Sequence, residues 1–210
     1  MTKVAATYTC LMSSPTRWAG VPLTDRRVER RALLVDAGFI LFGDGGEAAV
    51  SVRSVSRESG LNTRYFYESF NDVDDLLGAV YDTIALQLAE LVRAAMDEAG
   101  HTVRTRTRAG IVAVLGFSSA DPRRGRILFT DAHANPVLAD RRATAHKVLM
   151  DLAVVEDGRQ HPRSDPVAAR VGATLYAGAM AELTQQWLAG NLGSELDVVA
   201  DHAIALLMPR

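Results

Sequence analysis

The segment Ser51–Phe70, SVRSVSRESGLNTRYFYESF, leaves this chain few ways to fold. Ser51 is a good N-cap, and Val52 and Val55 share one helical face behind it. Gly60 supplies a C-terminal stop, and Asn62 offers a second N-cap only two residues later. Leu61, Phe66 and Phe70 can then turn inward while Thr63, Arg64, Tyr65 and Tyr67 remain outside. Two short helices meeting at a tight turn, the second carrying hydroxyls, an arginine and aromatics, have the layout of a DNA-reading helix-turn-helix. An ordinary helical hairpin in a core would not place two tyrosines and an arginine on its outer surface.

Bulk properties neither supply nor exclude a nucleic-acid partner. With 210 residues, 48% apolar and 23% charged, the chain can bury a core and has the composition of a globular protein. Its formal net charge is −2, so DNA binding has to rest on local placement. Arg26, Arg27, Arg30 and Arg31 form a basic cluster ahead of the motif, diluted by Asp25, Glu29, Glu47, Glu58 and Glu68. The single cysteine, Cys10, excludes an internal disulfide framework and a cysteine-based zinc site, in keeping with a reducing cytoplasm. No apolar run is long enough to cross a bilayer. Residues 1–22 lack a continuous apolar core and read as a flexible tail, not a signal peptide.

Helical periodicity dominates the rest. Val28, Ala32, Val35, Phe39 and Phe42 predict an amphipathic helix from Thr24, as its cap, to about Gly43, with Asp44-Gly45-Gly46 as its terminator. That glycine run follows a helix and has no lysine after it, which argues against a phosphate-binding loop. Asp72 caps a helix through Leu76, Leu77, Val80, Ile84, Leu88, Leu91 and Val92 to about Ala99. Further helices are predicted from Thr102 to about Ser119, from Pro122 through Phe129, and from Asn135-Pro136 to about Asp157. A polar loop at Gly158–Pro162 separates these from a small-residue helix, Asp165–Gly190, and from a last helix capped by Ser194. The chain reads as all-α.

With the motif third in a run of helices, residues from Arg27 to about Asp82 closely resemble the TetR family of bacterial transcriptional repressors. The matching residues are Ala37-Gly38 and Leu41-Phe42, the Ser51-Val-Arg-Ser-Val run, Gly60-Leu-Asn, Tyr65-Phe-Tyr-Glu-Ser-Phe70 and Asp75-Leu-Leu. The resemblance implies a three-helix DNA-binding head, residues 23–71, on a larger helical ligand-binding and dimerisation body, residues 72–210. It implies a homodimer through the last two helices, a palindromic double-stranded DNA operator and release by a small-molecule effector. Carried over position by position, Asn62, Thr63, Arg64, Tyr65 and Tyr67 fall where the family's recognition helix meets the major groove. Ser51 and Arg53 fall where backbone phosphates lie. The chain departs from the family at Arg64, where a small residue is usual, and at Val73, where a lysine is frequent. Arg64 can present a bidentate fork to guanine; the change at Val73 removes one expected phosphate contact.

In the body, Phe117, Phe129, His133, Tyr176 and Trp187 stand at interior-looking positions and are the candidate lining of an effector pocket. Plain core packing is the competing reading for the aromatics. His133 with Asp131, or His146 with Asp151, could form a base pair, but neither is accompanied by a nucleophile in a motif, so no enzyme activity is expected. No His/Asp/Glu spacing suits a metal, and no cofactor is implied. Glycine and alanine at three- and four-residue steps from Val167 onward, with Leu196, Val199, Ala203 and Leu206, suit a self-complementary four-helix dimer interface. The alternative function is a ligand-binding or scaffold protein of the same fold without specific DNA binding.

Overall fold

A computed structural model describes residues 17–18, 21–130, 135–160 and 165–208. Nine α-helices among them follow the expected order. The head holds α1 (Leu23–Gly45), α2 (Val52–Ser59) and α3 (Thr63–Tyr67). The body holds α4 (Val73–Glu98), α5 (Val103–Ala120), α6 (Pro122–Gly125), α7 (Pro136–Gln160), α8 (Pro166–Leu188) and α9 (Leu196–Leu207). Ahead of α1, Arg17–Trp18 (β1) pairs antiparallel with Val21–Pro22 (β2) at the end of the stretch read as a flexible tail; residues 1–16 and 19–20 lie outside the described residues.

Most boundaries follow from side-chain caps. Asp72 Oδ1 accepts from Asp75 N at 2.8 Å, Thr102 Oγ1 from Thr105 N at 3.2 Å, and Asp165 Oδ1 from Val167 N at 2.9 Å. Four expectations need correcting. α1 begins at Leu23, which puts Thr24 inside the first turn, and it runs on to Gly45 before Gly46 takes a left-handed φ of 69°. α7 continues into the expected polar loop as far as Gln160, and His161 and Pro162 lie outside the described residues. Glu195, not Ser194, is the N-cap of α9, and it makes no side-chain cap bond. Beyond α6 the chain opens into a single π-type turn, Arg126–Thr130, where a continuous helix was expected.

Two apolar clusters organise the described residues. The first joins Leu34, Val35 and Phe42 of α1, Val55 of α2, Phe66 of α3 and Leu76, Leu77 and Val80 of α4 to Phe117, Ile127, Leu128 and Leu138 of the body. Head and body therefore share one core. Val28, expected in the stripe of α1, is 70% exposed and Ala32 is exposed too; the buried residues of that helix begin at Leu34. α1 passes close to α4: a Cβ at Gly38 would stand 3.0 Å from Val80 Cγ2. The second cluster packs Ile111 and Leu115 of α5 against Met180 of α8 and Val199, Ala200 and Ile204 of α9.

Candidate nucleic-acid interface

The surface at α2 and α3 is built by three local devices. Ser51 and Ser54 form a reciprocal capping box at the start of α2. Ser51 Oγ accepts from Ser54 N at 3.1 Å, and Ser54 Oγ accepts from Ser51 N at 2.9 Å. Ser54 Oγ also donates to Ala49 O at 2.8 Å, which fastens α2 to the turn before it. At the far end Gly60 adopts φ 68°, a left-handed conformation that L side chains enter at a cost, and Leu61 N bonds back to Ser56 O at 3.1 Å. Asn62, extended, then caps α3 through Oδ1 accepting from Tyr65 N at 3.3 Å.

α3 has only five residues, so tertiary anchoring must hold it. Phe66 supplies that anchor. It is fully buried, with its ring centroid 5.8 Å from that of Phe70 and 5.5 Å from that of Tyr67 in an edge-to-face arrangement. Around this anchor Asn62 and Thr63 are exposed, the Arg64 side chain is 83% exposed and Tyr67 is 63% exposed. Ser51 and Arg53 are exposed at the start of α2. Six of the seven candidate DNA-binding residues thus share an open surface. Tyr65 differs: it is half-buried, and the guanidinium carbon of Arg30 lies 4.5 Å from its ring centroid.

The arginine cluster of α1 is engaged with α3 and its C-terminal flank. Arg27 Nη2 donates to the Glu68 carbonyl at 2.8 Å, Arg30 stacks on Tyr65 with its Nη2 3.9 Å from Glu68 Oε2, and Arg31 lies over Phe70 at 4.8 Å. Glu68 is the residue that sequence reading passed over as a mere diluting charge. Its Oε1 accepts from Arg64 Nε at 2.9 Å. The signal for it was the Arg64–Glu68 spacing of four on one helical face. Val73, where a lysine was expected, packs half-buried against the first core.

Two polar ties connect this surface to the body. Asn135 is buried at the start of α7, where Oδ1 accepts from Val137 N at 2.9 Å and Leu138 N at 3.3 Å. Its Nδ2 donates to Glu47 Oε1 at 2.9 Å and Asp74 Oδ1 at 3.1 Å, reaching the turn before α2 and the first turn of α4. In α6, Arg123 grips both oxygens of Asp121 at 2.9 Å and covers the Phe39 ring of α1 at 5.0 Å. The Arg123 hydrogen bonds hold the Asp121 carboxyl below its ordinary range.

The effector candidates divide between the two cores. Phe117 is buried in the first, under the guanidinium of Arg124 at 4.6 Å, and Phe129 packs against the same cluster. Tyr176 and Trp187 pack on the second; desolvation pushes the Tyr176 phenol up to about 12. Trp187 Nε1 donates to Ser119 Oγ, and Gln185 Nε2 to Phe129 O at 3.0 Å, so the end of α8 spans both groups. His133 lies outside the described residues. Elsewhere, Arg31, Asp75, Thr83 and Arg141 border an open polar cleft of about 260 Å³ at the head–body joint. Among the described residues no helix is long and apolar enough to cross a membrane.

The last two helices face partly inward. Val199 is buried, and Leu196 and Ala203 pack beside it against α5, so three of the four residues expected in the α9 dimer stripe serve the chain's own core. Leu206 is 83% exposed, and Val198 joins it outside. On α8, Ala173, Ala177 and Met180 are buried while Val167, Val171 and Leu175 stand exposed.

No protein-family model matches the chain. Solved structures do match. The fatty acid degradation regulator FadR from Bacillus halodurans superposes with a TM-score of 0.73 at 15% identity, covering 86% of this chain and 95% of that one. FadR from Bacillus subtilis, solved with stearoyl-CoA, gives 0.73 at 15%, covering 85% and 97%. A TetR family transcription regulator from Marinobacter aquaeolei VT8 gives 0.65 at 19%, covering 87% and 97%. These neighbours are transcriptional regulators, and the chain shares their all-α fold over nearly its whole length.

Proposed function

We propose that this chain is a TetR-family regulator: a homodimeric, ligand-responsive, sequence-specific DNA-binding protein that represses transcription from a palindromic operator. The observation that carries the reading is α3. Five residues are pinned by one buried phenylalanine, and Thr63, Arg64 and Tyr67 project outward with Ser51 and Arg53 beside them. In this arrangement α3 enters the major groove, the N-terminus of α2 meets phosphates, and Tyr67 offers its hydroxyl to the backbone. The shared fold of the regulators above supports the reading.

The exposed Val167, Val171, Leu175, Val198 and Leu206 support a dimer through α8 and α9, which sets two copies of α3 against one duplex. A small-molecule effector held in the body would release DNA by moving the heads out of step with successive major grooves, roughly 34–36 Å apart. The stearoyl-CoA complex of the Bacillus subtilis neighbour supports a body of this fold as a ligand site. The protein acts in the cytoplasm, without enzymatic chemistry of its own.

Selection from a pool of random duplexes tests this directly. The wild-type protein should enrich an inverted repeat whose half-site centres lie about one helical turn apart. Recovery of no common sequence would reject the reading in favour of a ligand-binding or scaffold protein on the same fold.

A further inference from the structure

Arg64 is highly exposed, yet its guanidinium is not left to rotate. Nε donates to Glu68 Oε1 at 2.9 Å, one helical turn on. Glu68 is itself fixed from α1: Arg27 Nη2 holds its backbone carbonyl at 2.8 Å, and Arg30 Nη2 approaches its second carboxylate oxygen at 3.9 Å. The residues flanking this turn, Phe66 and Phe70, are buried. An exposed ion pair of this spacing adds little to stability. What it does is choose which edge of the guanidinium remains open.

An arginine fork can meet a base through Nε and one Nη, or end-on through Nη1 and Nη2. The Glu68 carboxylate occupies the Nε edge and leaves the end-on pair facing out. In the major groove guanine alone presents two adjacent acceptors, O6 and N7; adenine offers one acceptor beside a donor, and cytosine offers a donor. We propose that Glu68 is a specificity-determining residue, whose carboxylate holds Arg64 by Nε so that Nη1 and Nη2 read a guanine in each operator half-site. The inference rests on the DNA-binding reading above. It adds the identity of one base and a second residue that enforces it.

The carboxylate has two opposed effects, and these make the idea testable. It fixes the fork before binding, which sharpens the choice of base. It also sets a negative charge close to the phosphates, which weakens binding to any duplex. A merely structural residue would weaken both kinds of binding together.

The experiment is duplex selection followed by titration of the enriched half-site and of its three single-base variants at the Arg64-dependent position, with wild type, Glu68→Ala, Glu68→Gln, Arg64→Ala and the double variant Arg64→Ala/Glu68→Ala. Wild type should prefer guanine at that position by about 5–150-fold, the range of one good bidentate pair. Glu68→Ala should lower that preference several-fold, towards none, while its affinity for unrelated duplex stays the same or rises. Glu68→Gln, which keeps an oxygen for Nε without the charge, should fall between. In the Arg64→Ala background, loss of Glu68 should leave base preference unchanged. Circular dichroism confirms folding, and Glu68→Gln decides the matter if Glu68→Ala does not fold. An enriched operator with no guanine dependent on Arg64, or undiminished guanine preference in Glu68→Ala and Glu68→Gln, overturns the proposal while DNA binding stands. No enriched duplex at all removes the proposal and the DNA-binding reading together.

Discussion

At the scale of single residues, the arginine and the two tyrosines of α3 divide by what their neighbours already occupy. Arg64 and Tyr67 point away from the fold, so Arg64→Ala and Tyr67→Phe should leave thermal stability nearly unchanged and weaken operator binding by about 1–3 kcal/mol each in a gel-shift titration. Equal affinity for wild type and both variants would take them off the interface. Tyr65 has its ring covered by Arg30. Tyr65→Phe should therefore bind DNA as wild type does, whereas Tyr65→Ala should lose the cation–π contact, on the order of 0.5–1 kcal/mol at an exposed site, as head stability. Tyr176 carries a pH dependence. Burial raises its phenol from 10.0 to about 12, so the folded state favours the neutral form. The unfolded chain ionises first, near 10. The stabilisation is fully present below that value and is lost as pH rises through the interval from 10 to about 12. Melting curves across that interval should decline less steeply for Tyr176→Phe; identical slopes would refute the assignment.

At the scale of elements, α3 depends on its ends because five residues cannot sustain a helix alone. Gly60→Ala places a Cβ in the left-handed region at φ 68° and should cost about 1–2 kcal/mol. Asn62→Ala removes the cap and should cost about 1 kcal/mol. Urea titration of both variants checks this, and unchanged midpoints would mean that Phe66 alone holds α3. These same punctuating residues are why this part of the fold was legible in the sequence: Ser51, Gly60, Asn62, Asp72, Thr102 and Asp165 act through bonds to backbone two to four residues away. The misreadings have tertiary causes. Ser194 has the right chemistry for a cap, but the chain enters α9 one residue later. Val28 keeps the period of α1 but precedes its first buried residue, Leu34. Val199 and Leu206 are equally apolar, and only the position of α5 decides that one is buried and the other exposed. The Arg64–Glu68 pair is local and has an i,i+4 spacing, whereas the hold of Arg27 on the Glu68 carbonyl, 41 residues away, has no signal in the sequence.

At the scale of the whole molecule, α8 and the head–body joint carry separate expectations. Leu175 ends the exposed stripe of Val167, Val171 and Leu175 near the midpoint of α8, so Leu175→Glu should shift the protein towards monomer in sedimentation, with its own core intact; an unaltered dimer would move the interface elsewhere. The joint is a matter of continuity, because one core runs from α2 to α7 and Asn135 ties its polar edge. The side chain does two things there. Its oxygen caps α7, and its amide bridges two carboxylates, Glu47 before α2 and Asp74 in α4. Substitutions separate these roles. Asn135→Ala loses both. Asn135→Asp retains the cap but replaces the donor with a third negative charge facing Glu47 and Asp74. Hydrogen bonds to charged groups contribute about 1.5–3 kcal/mol each, so at pH 7 Asn135→Asp should be at least as destabilised as Asn135→Ala despite its intact cap. Like charges beside it favour the neutral form of the carboxyl introduced at position 135, and its protonation restores a donor. The sign follows: the raised folded-state pKa means that the destabilisation of Asn135→Asp is present above that value and relieved as pH falls through it. Urea midpoints at pH 7 and pH 5 should therefore converge on wild type for Asn135→Asp and not for Asn135→Ala. A gap between Asn135→Asp and wild type that is the same at both pH values would show that the amide is not what joins α7 to the turn before α2.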